Sequence, residues 1–172
     1  MMNAKHLLVA AGLSMLILSS NSSAAILVAQ TRTTPVLFGG ATYTVDFNGD
    51  TAGGQVFNFS TSSPNTRIVL TFNAECAVYT EAFNWLDVDI LVDPAGATPE
   101  TAAPPSNDDN AFCSGNHTPG DDIFGAGDGW VSATTQATMI LPQAGKHTVR
   151  VVVNGAKSGV ARLDDMSLIV QR

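Results

Sequence analysis

Hydrophobic and polar residues alternate almost without interruption in segment 84–93. A period of two is that of a β-strand, in which successive side chains point to opposite faces of the sheet. One face of this strand is aliphatic and consists of Leu86, Val88, Ile90 and Val92. The other face carries Trp85, Asp87, Asp89, Leu91 and Asp93. This second face is either a ligand platform or the solvated side of an antiparallel sheet.

Short runs of β-branched and aromatic residues recur beyond residue 25, with Gly, Pro, Asn and Asp between them. Helical periodicity is almost absent, so the pattern indicates an all-β sandwich or barrel. Eight strands are predicted, over residues 35–38, 42–47, 55–59, 67–75, 84–92, 130–141, 146–154 and 160–170. We expect one antiparallel two-sheet β-sandwich domain over residues 26–172.

Residues suited to tight turns or to positive φ fill the gaps between these strands. They are Asn48-Gly49-Asp50, Ser63-Pro64-Asn65, Pro142-Gln143-Ala144-Gly145 and Asn154-Gly155. The last two turns separate three consecutive strands. We therefore predict a three-stranded meander over residues 130–170.

Residues 1–25 have the pattern of a cleaved signal peptide. Lys5 and His6 form the positive end, residues 7–18 the apolar run, and Ser22-Ser23-Ala24-Ala25 a small-residue cleavage site. No later segment approaches the roughly 20 apolar residues of a spanning helix. We expect a secreted or periplasmic protein with no membrane insertion.

The chain is acidic once this signal is removed. Seven Lys and Arg then face fifteen Asp and Glu, which gives a formal charge of −8. Nucleic acids and anionic membranes bind basic surfaces, so neither is an expected partner. Neutral ligands and cations fit this charge better.

The two cysteines, Cys76 and Cys113, are the only ones in the chain. In an exported protein an isolated pair usually forms a disulfide, because a metal site would need further ligands nearby. We predict a Cys76–Cys113 bridge that pins a long loop to the sandwich.

That loop spans residues 94–129 and is rich in Pro, Gly and acidic residues, without any Lys or Arg. Within it, only residues 111–113 have a strand-like sequence. Its carboxylates include Asp108 and Asp109, within the run Asn107-Asp108-Asp109-Asn110. Calcium takes six to eight oxygen ligands, so this run is chemically suited to it. The alternative is an acidic, solvated loop.

The C-terminal segment 162–170, with the sequence RLDDMSLIV, resembles the last strand of galactose-binding-like jelly rolls, which include carbohydrate-binding modules. The resemblance implies a jelly-roll-like sandwich and a structural calcium held by Asp164 or Asp165. Strict alternation places Asp164 in the buried row of Met166, where a carboxylate must be paired or metal-bound. An ion pair with Arg150 or Arg162 is the alternative to calcium.

Carbohydrate-binding proteins stack sugar rings on aromatic side chains and bind the hydroxyls with polar groups. Trp85 with Asp87 and Asp89 suits this chemistry. So does Trp130, which shares a polar row with Ser132, Thr134 and Gln136. The alternative is that both tryptophans pack beneath the long loop.

Catalysis is not expected. His117 and His147 are the only histidines after the signal, and no nucleophile or zinc ligand set can be placed around either. Asp87 and Asp89 formally resemble a glycosidase carboxylate pair. The leading hypothesis is a secreted, non-catalytic module for carbohydrate or another extracellular ligand. The alternative is a structural or adhesive surface protein that associates with other proteins.

Overall fold

The computed structural model describes residues 24–39, 42–49, 54–79, 84–93, 111–115, 130–154 and 160–172. These residues form ten β-strands and no helix, which confirms the all-β prediction. The strands are β1 (Ile26–Arg32), β2 (Val36–Gly39), β3 (Thr42–Thr44), β4 (Phe57–Thr61), β5 (Thr66–Tyr79), β6 (Asn84–Val92), β7 (Ala111–Gly115), β8 (Val131–Leu141), β9 (Gly145–Asn154) and β10 (Val160–Gln171). Within those ranges no helix has the length and apolar character needed to cross a bilayer.

Strand β6 begins and ends where its alternation predicts. Two strands, β1 and β7, are additional to the eight predicted from sequence. Six of the seven residues of β1 are exposed or half-buried, so the strand has no continuous row of buried side chains. Strand β7 has only five residues and lies inside the segment assigned to a long loop.

The strands form two five-stranded antiparallel sheets. Sheet A has the order β1-β10-β5-β8, with β2 also paired to β10. Sheet B has the order β3-β9-β6-β7, with β4 also paired to β9. The pairing is nested along the chain: β1 and β2 pair with β10, β3 and β4 with β9, β5 with β8, and β6 with β7.

The predicted meander over residues 130–170 is wrong. Strand β8 belongs to sheet A, β9 to sheet B and β10 to sheet A again, so the chain changes sheets at each connection. Gly145 does adopt the positive φ expected of its turn, at 130°. The turn residues therefore identified a chain reversal. They did not reveal that the reversal passes from one sheet to the other, because both kinds of connection use similar residues.

One hydrophobic core lies between the sheets. Sheet B contributes the predicted row of β6 and the row Val149, Val151 and Val153 of β9. Sheet A contributes Ile68, Leu70, Phe72 and Ala74 of β5, which are fully buried. The alternation of the sequence thus places these aliphatic rows against each other.

The Cys76–Cys113 disulfide predicted from sequence is present. Cys76 lies on β5 of sheet A and Cys113 on β7 of sheet B, with 6.3 Å between their Cα atoms. The bridge therefore connects the two sheets at one end of the core, and we call this the disulfide end.

Candidate functional site

The two tryptophans predicted to bind ligand lie on opposite outer faces of the molecule. Trp85 adjoins the inward residue Leu86, which pairs with Cys113 in sheet B. Trp130 adjoins Val131, which pairs with Cys76 in sheet A. Both rings are half-buried and lie near the disulfide end. They cannot form one platform, because both sheets separate them.

The outer face of sheet B holds the predicted carboxylates in a cross-strand arrangement. Asp87 lies opposite Asn154, and Asp89 lies two residues further along β6. The Asn154 side-chain amide donates to Asp89 Oδ2 at 3.1 Å, and Thr42 Oγ1 donates to Asn154 Oδ1 at 3.1 Å. Asp89 is only 7% exposed. It therefore takes part in a network that joins β6, β9 and β3.

The outer face of sheet A carries Trp130 beneath an arginine. The guanidinium carbon of Arg162 lies 4.7 Å from the centre of the Trp130 ring, which is cation–π distance. Arg162 pairs with Ala77 on β5, and Trp130 lies one residue beyond the Cys76–Val131 pair, beside the same alanine. Because Ala77 is small, Arg162 can reach across it to the ring.

Four side chains further along the same outer face as Trp130 form what we call the hydroxyl–amide array: Thr71, Asn73, Thr134 and Gln136. Asn73 Nδ2 donates to Thr134 Oγ1 at 2.7 Å, and Gln136 Nε2 donates to Thr71 Oγ1 at 3.1 Å. Both bonds join directly opposed residues of β5 and β8 on the solvent side. Neither amide makes a further hydrogen bond with the described part of the chain. Each therefore retains hydrogen-bonding capacity.

The alternation that would bury Asp164 is broken by a β-bulge. The pairing of β10 with β5 shifts between Asp164 and Ser167, and Asp165 has a φ of 44°. Leu163 and Met166 both face the core, so the inward row changes parity across the bulge. Asp164 is consequently half-buried and Asp165 exposed. The expectation that Asp164 shares the row of Met166 is wrong, because a bulge inserts one residue.

Asp164 has protein partners at this bulge. Its Oδ2 lies 3.7 Å from Arg162 Nη2, and its Oδ1 accepts from the backbone N–H of Asp165 at 3.0 Å. The ion pair with Arg162 was the predicted alternative to calcium. In the described ranges, no group of three or more His, Cys, Asp or Glu side chains could hold a metal ion. These two aspartates alone do not fit a calcium site, which takes six to eight oxygens.

The sequence did not reveal a hydrogen-bonded relay in which a half-buried Asp93 contacts the buried side chain of His147, which in turn contacts the buried Thr61. His147 Nδ1 lies 2.7 Å from Asp93 Oδ2, and Thr61 Oγ1 lies 3.2 Å from His147 Nε2. The backbone N–H of Thr148 donates to Asp93 Oδ1 at 2.7 Å and orients the carboxylate. A histidine protonated on Nδ1 satisfies both of its contacts.

The relay connects a carboxylate, an imidazole and a hydroxyl group in the same sequence as a catalytic triad. However, Thr61 and His147 are each only 5% exposed. We interpret it as a structural link between β4, β9 and the end of β6. Sequence gives little signal for it, because Thr61 and His147 are distant in the chain and meet only through the β4–β9 pairing.

The remaining predicted ligands, Asp108 and Asp109, lie outside the described residues, as does most of the acidic loop. A comparison with known proteins finds no family model that matches this chain and no curated protein that matches its sequence.

Proposed function

We propose that this protein is a secreted, non-catalytic jelly-roll module that binds carbohydrate on the outer face of sheet A. The observation that carries the proposal is the hydroxyl–amide array, which lies exposed on the same outer face as the Trp130–Arg162 stack. The carbohydrate class follows from this combination of neutral hydrogen-bonding groups with an aromatic ring.

The nested strand pairing supports a jelly roll. A jelly roll contains two antiparallel sheets built from Greek keys, so its chain returns repeatedly from one sheet to the other. Here the first strands pair with the last, and each inner pair follows in order until β6 pairs with β7. A jelly roll has eight strands. Here the strand opposite β10 is divided into β1 and β2, and the strand opposite β9 into β3 and β4, so the number of strands is ten.

The chemistry of the array suits a neutral, hydroxyl-rich ligand. Amides can donate and accept hydrogen bonds, as can hydroxyl groups, so both types complement sugar hydroxyls. Trp130 and Gln136 are six residues apart on one strand face, which corresponds to about 20 Å. This length favours an extended oligosaccharide over a single sugar ring. Arg162 adds N–H donors at the Trp130 end.

Sheet B supports the proposal less well. Asp89 already accepts a hydrogen bond from Asn154 and is almost fully buried. A ligand would have to displace this network to reach the carboxylate. We therefore assign Trp85, Asp87 and Asp89 no direct role in the proposed site, although they were predicted to bind ligand.

Export and calcium are separate parts of the proposal. The signal-like segment and the disulfide both favour an extracytoplasmic compartment.

We assign calcium no place in the binding site, since Arg162 and the Asp165 N–H already engage the Asp164 carboxylate. Excess chelator should therefore leave sugar binding unchanged. A loss of binding that calcium restores would contradict this assignment.

The proposal is tested by a carbohydrate panel that includes soluble oligosaccharides and insoluble polysaccharides. The wild-type protein should bind at least one of them. The Asn73→Ala/Thr134→Ala double variant should weaken that binding about tenfold or more, equivalent to about 1.4 kcal/mol. Thr148→Ala, on sheet B, is the control for general effects on the fold. If the wild type binds no carbohydrate, the structural or adhesive alternative is favoured.

A further inference from the structure

Strand β8 forms one edge of sheet A in the part of the chain that the structure describes. It pairs with β5 along its whole length, and no other strand in the described ranges pairs with its second edge. Its inward side chains Ala133, Ala137 and Met139 are only half-buried, whereas the facing residues of β5 are fully buried. Val131 is 46% exposed and Ile140 51% exposed. Apolar groups at both ends of the strand thus remain accessible.

Within its own eleven residues, β8 lacks the sequence features that usually protect a sheet edge from pairing. Protected edges are short, carry charges or proline, or are bent by bulges. Strand β8 has eleven residues, VSATTQATMIL, with no charged residue, no Pro and no Gly. Its pairing with β5 is regular from Thr66–Leu141 to Cys76–Val131.

The opposite edge of sheet A provides a contrast. That edge is divided between β1 and β2, which are separated by a break that contains Pro35. Arg32 ends β1 and bonds to the carbonyl oxygens of Thr34 and Asp46. A second chain could not pair continuously along this edge. Of the two edges that the described strands give sheet A, β8 is the one without an interruption.

The sequence of β8 suits pairing with a second copy of itself. Gln136 is its central residue, so antiparallel pairing about Gln136 uses all eleven positions. Small residues then face larger ones in three kinds of pair, one pair joins two threonines, and no like charges meet. The opposed pairs would be Val131 with Leu141, Ala133 with Met139, Thr135 with Ala137, Ser132 with Ile140, Thr134 with Thr138, and Gln136 with Gln136.

We propose that two copies of this protein associate through β8 about a twofold axis at Gln136, which joins their A sheets into one continuous sheet. A twofold axis gives a self-complementary interface that closes after two copies. The paired strands would share about ten backbone hydrogen bonds, given the antiparallel pattern. A single strand pair is a small interface, so we expect a dissociation constant of about micromolar or weaker.

Sedimentation velocity of the purified protein over a wide concentration range provides the test. The wild type should shift from monomer to dimer as its concentration rises. Gln136→Lys and Gln136→Glu should each weaken dimerisation about tenfold or more, because like charges meet on the axis. An equimolar mixture of the two variants should recover it, since opposite charges then meet. Recovery by mixing cannot be explained by misfolding of either variant.

Gln143→Lys is the matched control, because it makes the same change at an exposed residue in the turn after β8. This variant should dimerise like the wild type. A wild type that stays monomeric throughout, or dimers unaffected by Gln136→Lys, would overturn the proposal. Assemblies that grow beyond two copies would overturn the twofold arrangement.

Cross-linking supplies a second measurement that does not depend on affinity. Gln136→Cys should form a covalent dimer under mild oxidation, because the two substituted residues face each other across the axis. Gln143→Cys should not. Equal cross-linking of both variants would mean that collisions, and not β8 pairing, bring the chains together.

Discussion

The two outer faces of the molecule carry similar polar side chains but engage them to different extents. On sheet B, Asp89 is buried and joined through Asn154 to Thr42 on a third strand. On sheet A, Asn73 and Gln136 each make one exposed cross-strand hydrogen bond and retain further capacity. Both faces follow from the same alternation of side chains. An outward polar row can therefore either stabilise its own sheet or remain available to a ligand.

The largest expected effect concerns the disulfide, which supports both faces. In the chain-entropy model, a bridge that spans 37 residues contributes about 4 kcal/mol. Urea unfolding with and without reductant should show a loss of that order. A loss below about 1 kcal/mol would mean that the two sheets stay associated through their core alone.

Asp89→Ala should be the most destabilising single change on either outer face. It removes a buried carboxyl acceptor and leaves the Asn154 amide with one partner fewer, at a cost of about 2 to 3 kcal/mol. Glu75→Ala, at an exposed carboxylate on sheet A, is the control and should change stability by less than about 0.5 kcal/mol. Similar losses from both substitutions, measured by thermal unfolding, would remove the distinction between the faces.

The relay at His147 should give a somewhat smaller and strongly coupled effect. His147→Phe keeps an aromatic ring beside Phe59 but removes both hydrogen bonds, which should cost about 2 kcal/mol. After that change, Thr61→Val should cost much less than it does in the wild type, because the two residues share one bond. Strict additivity in this double-mutant cycle would show that the Thr61–His147 contact contributes nothing.

The smallest stability effects are expected within the hydroxyl–amide array. Asn73→Ala and Thr134→Ala remove one exposed hydrogen bond and should each cost less than about 0.5 kcal/mol. We expect these two substitutions to weaken carbohydrate binding instead. A stability loss above about 2 kcal/mol from either would indicate that this array, like the Asp89 network, is structural.

Local pattern predicted much of the fold. The alternation in β6 gave its boundaries and its buried face, because side chains on a regular strand must alternate. The disulfide followed from the isolated cysteine pair. Asn65 and Gly145 adopt the positive φ that their turns required. Each of these features depends on neighbouring residues or on a pair without competitors.

Features that depend on long-range pairing could not be predicted in the same way. The prediction of a meander was wrong because turn residues do not specify which sheet the next strand joins. Asp164 was placed in the wrong row because the bulge at Asp165 changes the parity of β10. The relay at His147 requires β4 to pair with β9. For the candidate site, alternation predicted that Trp85 and Trp130 both point outward. It could not show that they lie on different sheets and therefore on opposite outer faces.

The most direct test of the proposed function compares Trp130→Ala with Trp85→Ala in binding to the best carbohydrate found with the wild type. Calorimetry should show a loss of about tenfold or more for Trp130→Ala, which also removes the Arg162 stack. Trp85→Ala should bind like the wild type, provided that both variants retain cooperative unfolding. A loss confined to Trp85→Ala would place the site on sheet B and contradict the account.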